Sequence, residues 1–188
     1  MPVSAVSPAP KRLFRRFRRD NSGSGAVEFS LVAVPFFALL FGIIETGIVF
    51  FAGQVLENAV QDSGRLVYTN QMTGTNTTAT QFKTDVCNRV SVLMGCTGID
   101  IDVKYYPAGT TITITDPIDG GGNYDNSGLG FTLPPTSPAP TGTVVIRAFY
   151  RWPLYVTGLG YNIANIGRNT SNAKRLLVGL SAFHIEPS

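Results

Sequence analysis

One histidine, two cysteines and one tryptophan in 188 residues leave this chain little catalytic or metal-binding chemistry. His184 stands alone near the C-terminus, so the four N or S donors of a structural zinc site are missing. No G-x-S-x-G or H-E-x-x-H motif occurs, and catalysis needs a nucleophile, a base and a stabilising group within reach. The expectation is a protein that is not an enzyme and binds no cofactor. Charge is also scarce, at 14% of residues, and the net value of +3 is unevenly placed. Lys11, Arg12, Arg15, Arg16, Arg18 and Arg19 crowd the N-terminus, whereas nine basic and nine acidic residues balance after Gly53. A nucleic-acid binder needs a basic face on a folded domain, and none is visible, so no nucleic-acid partner is expected. No internal repeat is present.

What the sequence does have is a long apolar run. From Phe29 to Gly53 the only charged residue is Glu45. A helix crosses the hydrocarbon core with about 20 apolar residues. The spacing predicts a transmembrane helix over 24–53, with residues 1–23 as a basic cytoplasmic leader. Cations flanking a span stay on the cytoplasmic side, so 54–188 should lie outside the cytoplasm. A cleaved signal peptide is the competing reading, but its apolar region is usually about 7–15 residues, and no small-x-small site ends this run before Gln54.

Pro35 lies inside the run and cannot donate to the carbonyl of Leu31, which predicts a local loosening. Ala38, Gly42 and Thr46 recur at spacing four and form a small-residue face on which another helix could pack. Val55, Ala59, Leu66 and Val67 continue the helical pattern to about Tyr68. A helix from Glu28 to Tyr68 would be about 60 Å long, twice the hydrocarbon thickness. After the polar stretch TGTNTTATQ, the spacing of Phe82, Val86, Val90 and Leu93 predicts a second helix to about Gly95.

Strand patterns follow. Ile99, Ile101, Val103 and Tyr105 alternate with polar residues, and Ile112 and Ile114 alternate with threonines. Thr143–Trp152 is β-branched and aromatic, and LLVGLSAFHI is the last strand candidate. Asp116–Pro140 is too rich in glycine and proline for regular structure. The expected fold class is α+β: a long N-terminal transmembrane helix extends into a small extracytoplasmic domain, with a second helix and a three- or four-stranded antiparallel sheet. Outside the cytoplasm, Cys87 and Cys96 can form a disulfide; the alternative is two unlinked buried thiols.

The start of the apolar helix carries a motif. Gly23, four small or apolar residues, then Glu28 and Phe29 form G-x-x-x-x-E-F, which resembles the processing site of type IV pilins. The wider stretch GAVEFSLVAVPFFALLFGIIETG resembles the TadE-like pseudopilin family of the tight-adherence (Tad, Flp) systems. The resemblance covers about Gly23 to Tyr68. It returns weakly in AFHIEPS, where His184 and Ile185 stand in place of Arg and Asn in an R-N-E-P ending. It implies a pilin-like fold and cleavage by a prepilin peptidase between Gly23 and Ser24. Glu28 would then pair with the new Ser24 amine of a neighbouring subunit. The implied partners are the bacterial inner membrane, the peptidase, other pilin or pseudopilin subunits and the inner-membrane platform. The implied role is to initiate, cap or support a pilus, with the C-terminal domain in the periplasm.

Glu45 is a second acid in the span, where an ionisable residue marks a functional contact by default. At 100° per residue it lies about 100° around the helix from Glu28, so the two form no acid pair. It either meets another subunit or snorkels at the outer interface. Removal of residues 1–23 takes away six cations and Asp20, and the formal charge falls from +3 to −2. A single-pass anchored binding or adhesion module is the alternative function, with 116–140 as its recognition surface. Calcium in Asn123–Gly128 is a weaker idea, because Pro134 stands where a calcium loop carries its bidentate glutamate.

Overall fold

The computed structural model describes residues 23–69, 78–135, 141–156, 161–168 and 170–186. The basic leader, most of the polar stretch after Thr69, the prolines of 136–140 and the last two residues lie outside the described residues. The elements are α1 (Ser24–Tyr68), α2 (Ala79–Val90), a short 3₁₀ turn (Cys96–Gly98), β1 (Ile99–Pro107), β2 (Gly142–Pro153) and β3 (Lys174–Ile185). The class is α+β, with one candidate membrane span among the described residues.

The chain divides into two compact units between Phe41 and Gly42. In the first, α1 turns large apolar side chains outward; Phe29 is 71% exposed. A helix that is apolar all round needs an apolar environment. The most apolar stretch of α1 has a mean hydropathy of 2.3, and Pro35 is accommodated within the helix.

In the second unit α1 becomes one-sided. Glu45, Val49, Ala52, Leu56, Ala59, Ser63 and Val67 recur at spacing three and four and are buried. The apolar ones among them share one core with Phe82, Val86 and Val90 of α2 and with the inner face of the sheet, Ile99, Val103, Val144, Ile146 and Leu177. The approach of α1 to β3 is close: a Cβ at Gly179 would lie 2.8 Å from the Leu56 carbonyl oxygen and 2.9 Å from Val60 Cγ2. Only glycine fits there without a shift.

A capping box starts α2. The Thr78 hydroxyl accepts from Gln81 N, and the Gln81 side chain accepts from Thr78 N. The helix stops at Val90, earlier than the expected Gly95. The amides of Leu93 and Met94 both bond to the Val90 carbonyl as the chain turns. This turn buries Met94 rather than Leu93 and brings Cys96 to Cys87, with 5.4 Å between their Cα atoms in the disulfide.

The antiparallel sheet has the order β1-β2-β3, with Ile99 opposite Tyr150 and Trp152 opposite Arg175. The expected strand at Ile112–Ile114 does not form; these side chains are 43% and 56% exposed. The edge it would need is occupied. Val103 N donates to Gly130 O at 2.8 Å, and Thr132 N donates to Val103 O at 2.7 Å, so residues 130–132 cover the outer edge of β1. The outer face of the sheet forms a smaller cluster of Phe149, Leu176 and Ile166, covered by Ile118, Tyr124 and Leu129.

Candidate processing and assembly site

Gly23, Ser24, Glu28 and Phe29 stand at the first turns of α1 and are exposed. Small residues lead into the helix, and no atom lies within 4 Å of where a Cβ on Gly23 or Gly25 would be. The helix begins on a bond from Val27 N to the Gly23 carbonyl, 3.2 Å long. The Ser24 hydroxyl donates to Glu28 Oε1 at 2.9 Å. Positions 24 and 28 are therefore close enough to interact across one helical turn. A positive group at position 24 would give that carboxylate a charge-assisted partner. An unpaired carboxylate at the edge of an apolar medium carries a desolvation cost that such a partner reduces.

Ala38 lies in the first unit, Gly42, Glu45 and Thr46 in the second. Glu45 is only 8% exposed. Its Oε1 accepts from Tyr155 N at 2.5 Å and from Val156 N at 3.2 Å. The Thr46 hydroxyl donates to the Gly42 carbonyl at 2.7 Å and lies 3.4 Å from the Tyr161 hydroxyl. Part of the small-residue face is thus covered by the chain itself, and Glu45 holds the segment that leaves β2. Glycine and threonine admit the Tyr161 ring because they carry little bulk. Leu154 N still donates to the Ala173 carbonyl at 3.4 Å, but the Tyr155 and Val156 amides lie beyond the sheet ladder and take Glu45 as their acceptor.

Two polar arrangements were not foreseen in the sequence. Ser63 Oγ donates to Asp85 Oδ2 at 2.7 Å, and Arg89 joins Asp85 and Asp62 at 3.0 and 3.2 Å, which ties α2 to α1. On the outer face of the sheet Arg147 donates through Nε and Nη2 to Asp102 Oδ2, at 2.9 and 2.6 Å. The only signal in the sequence is Arg147 set between the apolar Ile146 and Ala148; its aspartate partner is fixed by the strand register.

The loop at 116–135 is organised by its own carboxylates. Asp119 is held below the usual carboxylate range, first by the Asn123 backbone amide, and Asp125 likewise by the Ser127 amide. Tyr124 donates to Asp100 Oδ2 at 2.8 Å. Burial and this bond push its phenol well above its ordinary value. Among the described residues, no three His, Cys, Asp or Glu side chains gather as a metal would require. His184 sits on β3 with Nδ1 3.4 Å from the Thr143 hydroxyl.

Residues 23–65 match the family model described as TadE-like protein. The similarity is confined to this segment, which holds the Ser24–Glu28 pair and most of α1. No curated protein and no solved structure matches the chain.

Proposed function

We propose that this chain is a minor pilin-like (pseudopilin) subunit of a Tad-type pilus, made as a single-pass inner-membrane protein. Its role is structural: it helps initiate, cap or support the filament and catalyses nothing. A prepilin peptidase cleaves between Gly23 and Ser24 on the cytoplasmic side, and the domain after Gly53 faces the periplasm. The observation that carries the reading is the Ser24–Glu28 contact at the first turn of the TadE-like segment. Cleavage at Gly23 would place an amine at position 24, and Glu28 would take the corresponding amine of a neighbouring subunit. Loss of the leader also removes the six cations that hold the N-terminus at the cytoplasmic face. The freed helix is then easier to draw into an assembly with other subunits on the inner-membrane platform.

The test compares Glu28→Ala with Glu45→Ala in the native host, scored for membrane level, processing and surface filaments. Glu28→Ala should keep its membrane level and lose filaments. Glu45→Ala should lower the amount of folded protein, because it strips the acceptor from two backbone amides. Wild-type filaments from Glu28→Ala would remove the support for charge pairing.

A further inference from the structure

We propose that the end of the domain that closes on Glu45 is a second membrane contact, seated in the headgroup layer of the leaflet through which α1 leaves the bilayer. The inference rests on the reading of α1 as a membrane span and concerns only residues of the second unit.

The first observation is a mismatch in level along α1. On its uncovered side Ile43, Ile44, Ile48, Phe50 and Phe51 are exposed, and the stripe turns polar only at Gln54, Asn58 and Gln61. Yet the domain already touches the helix at Gly42, Glu45 and Thr46 through Tyr155, Val156 and Tyr161. Nine residues separate Glu45 from Gln54, a rise of about 13 Å. The headgroup layer on each side of a bilayer is roughly 5–8 Å thick, by difference between the full and hydrocarbon thicknesses. The domain therefore reaches down alongside a stretch of helix whose other side still requires an apolar or interfacial environment.

The second observation is the chemistry of that end. Tyr155 is 83% exposed, and Tyr161 is also exposed. Tyrosine concentrates at the boundary of membrane and water, where its ring and hydroxyl face different media. Arg168, Lys174 and Arg175 belong to the same end. Asn162, next to Tyr161, donates to the Arg168 carbonyl at 2.6 Å. Lys174 stands opposite Pro153, and Arg175 donates to the Ile163 carbonyl at 3.1 Å. Among the described residues none of these three cations forms an ion pair. The carboxylate that lines the same groove as Tyr161 and Arg175 is Glu57, which accepts from the Leu180 amide at 3.2 Å.

Cations beside exposed tyrosines, continuous with a membrane helix, fit a phospholipid surface with anionic headgroups. Burial of Glu45 fits the same setting. A free carboxylate at this depth would be costly, and the Tyr155 and Val156 amides satisfy it.

The test uses the full chain carrying Trp152→Phe, with one tryptophan returned by Tyr155→Trp, Tyr161→Trp or Phe36→Trp. Each protein is reconstituted into vesicles of phosphatidylcholine and phosphatidylglycerol brominated on the acyl chain near the headgroup. Tyr155→Trp and Tyr161→Trp should lose emission to lipid bromine. The loss should shrink when phosphatidylglycerol is omitted, or when Arg168, Lys174 and Arg175 are all changed to glutamate. If both are quenched by aqueous iodide and not by lipid, while Phe36→Trp is quenched by lipid, the contact is wrong and the span stands. Shielding from both quenchers would mean that a protein surface covers this end, which also overturns the proposal. If Phe36→Trp is itself untouched by lipid bromine, the spanning reading falls and the contact with it.

Discussion

Arg147→Met should destabilise the domain far more than the loss of a surface ion pair would. Arg147 and Asp102 are 5% and 2% exposed, at opposed positions of β2 and β1. The guanidinium also donates to the Thr115 carbonyl at 2.7 Å, and Asp102 Oδ1 accepts from Gly130 N at 2.8 Å. Without Arg147 the buried carboxylate keeps only the Gly130 amide and Lys104, whose Nζ lies 3.6 Å away. Breaking a buried pair in this way costs about 3–5 kcal/mol. An exposed pair would cost about 1 kcal/mol or less. Adding Asp102→Leu removes the stranded charge and should recover part of the loss. The recovery stays incomplete because Gly130 N and the Thr115 carbonyl lose their partners, at about 1–3 kcal/mol each. Urea unfolding of the full chain in detergent, followed by Trp152 fluorescence, measures both variants and the coupling between them. A loss below about 1 kcal/mol for Arg147→Met, or strictly additive effects, would refute the reasoning.

Two further outcomes follow from the same unit. Replacing Cys87 and Cys96 by serine should cost about 2–3 kcal/mol, the loop-closure value for so short a ring, and should remove any effect of reductant on the melting temperature. Tyr124 is more weakly acidic in the folded chain, so the unfolded chain releases its proton first as pH rises. Stability is therefore full below the ordinary tyrosine value of 10.0 and falls above it. Unfolding curves on either side of that pH should show a shallower alkaline decline in Tyr124→Phe.

The parts of the fold set by local pattern were legible from residues alone. The apolar run into α1, the spacing of Phe82, Val86 and Val90, and the alternation of β1 each follow from a single period. The parts decided by distant segments were not. Ile112 and Ile114 alternate like a strand, yet residues 130–132 occupy the β1 edge. Leu93 fits the helical period, yet the chain turns at Val90, and Met94 takes the buried position. Glu45 reads as a lone membrane acid, because the amides that satisfy it lie about 110 residues away. The G-x-x-x-x-E-F motif was legible as a pattern because it is contiguous. The Asp102–Arg147 pair was not, because its partners meet only through the strand register.

The central claim is that Glu28 sits five residues beyond a cleaved bond, and the mature N-terminus tests it directly. Intact-mass measurement of the protein from its native membrane, with N-terminal sequencing, should give a chain that begins at Ser24. A chain that begins near Gln54 would identify an ordinary signal peptide, and one that retains Gly23 and the basic residues before it would identify a plain anchor. Either result would contradict the account.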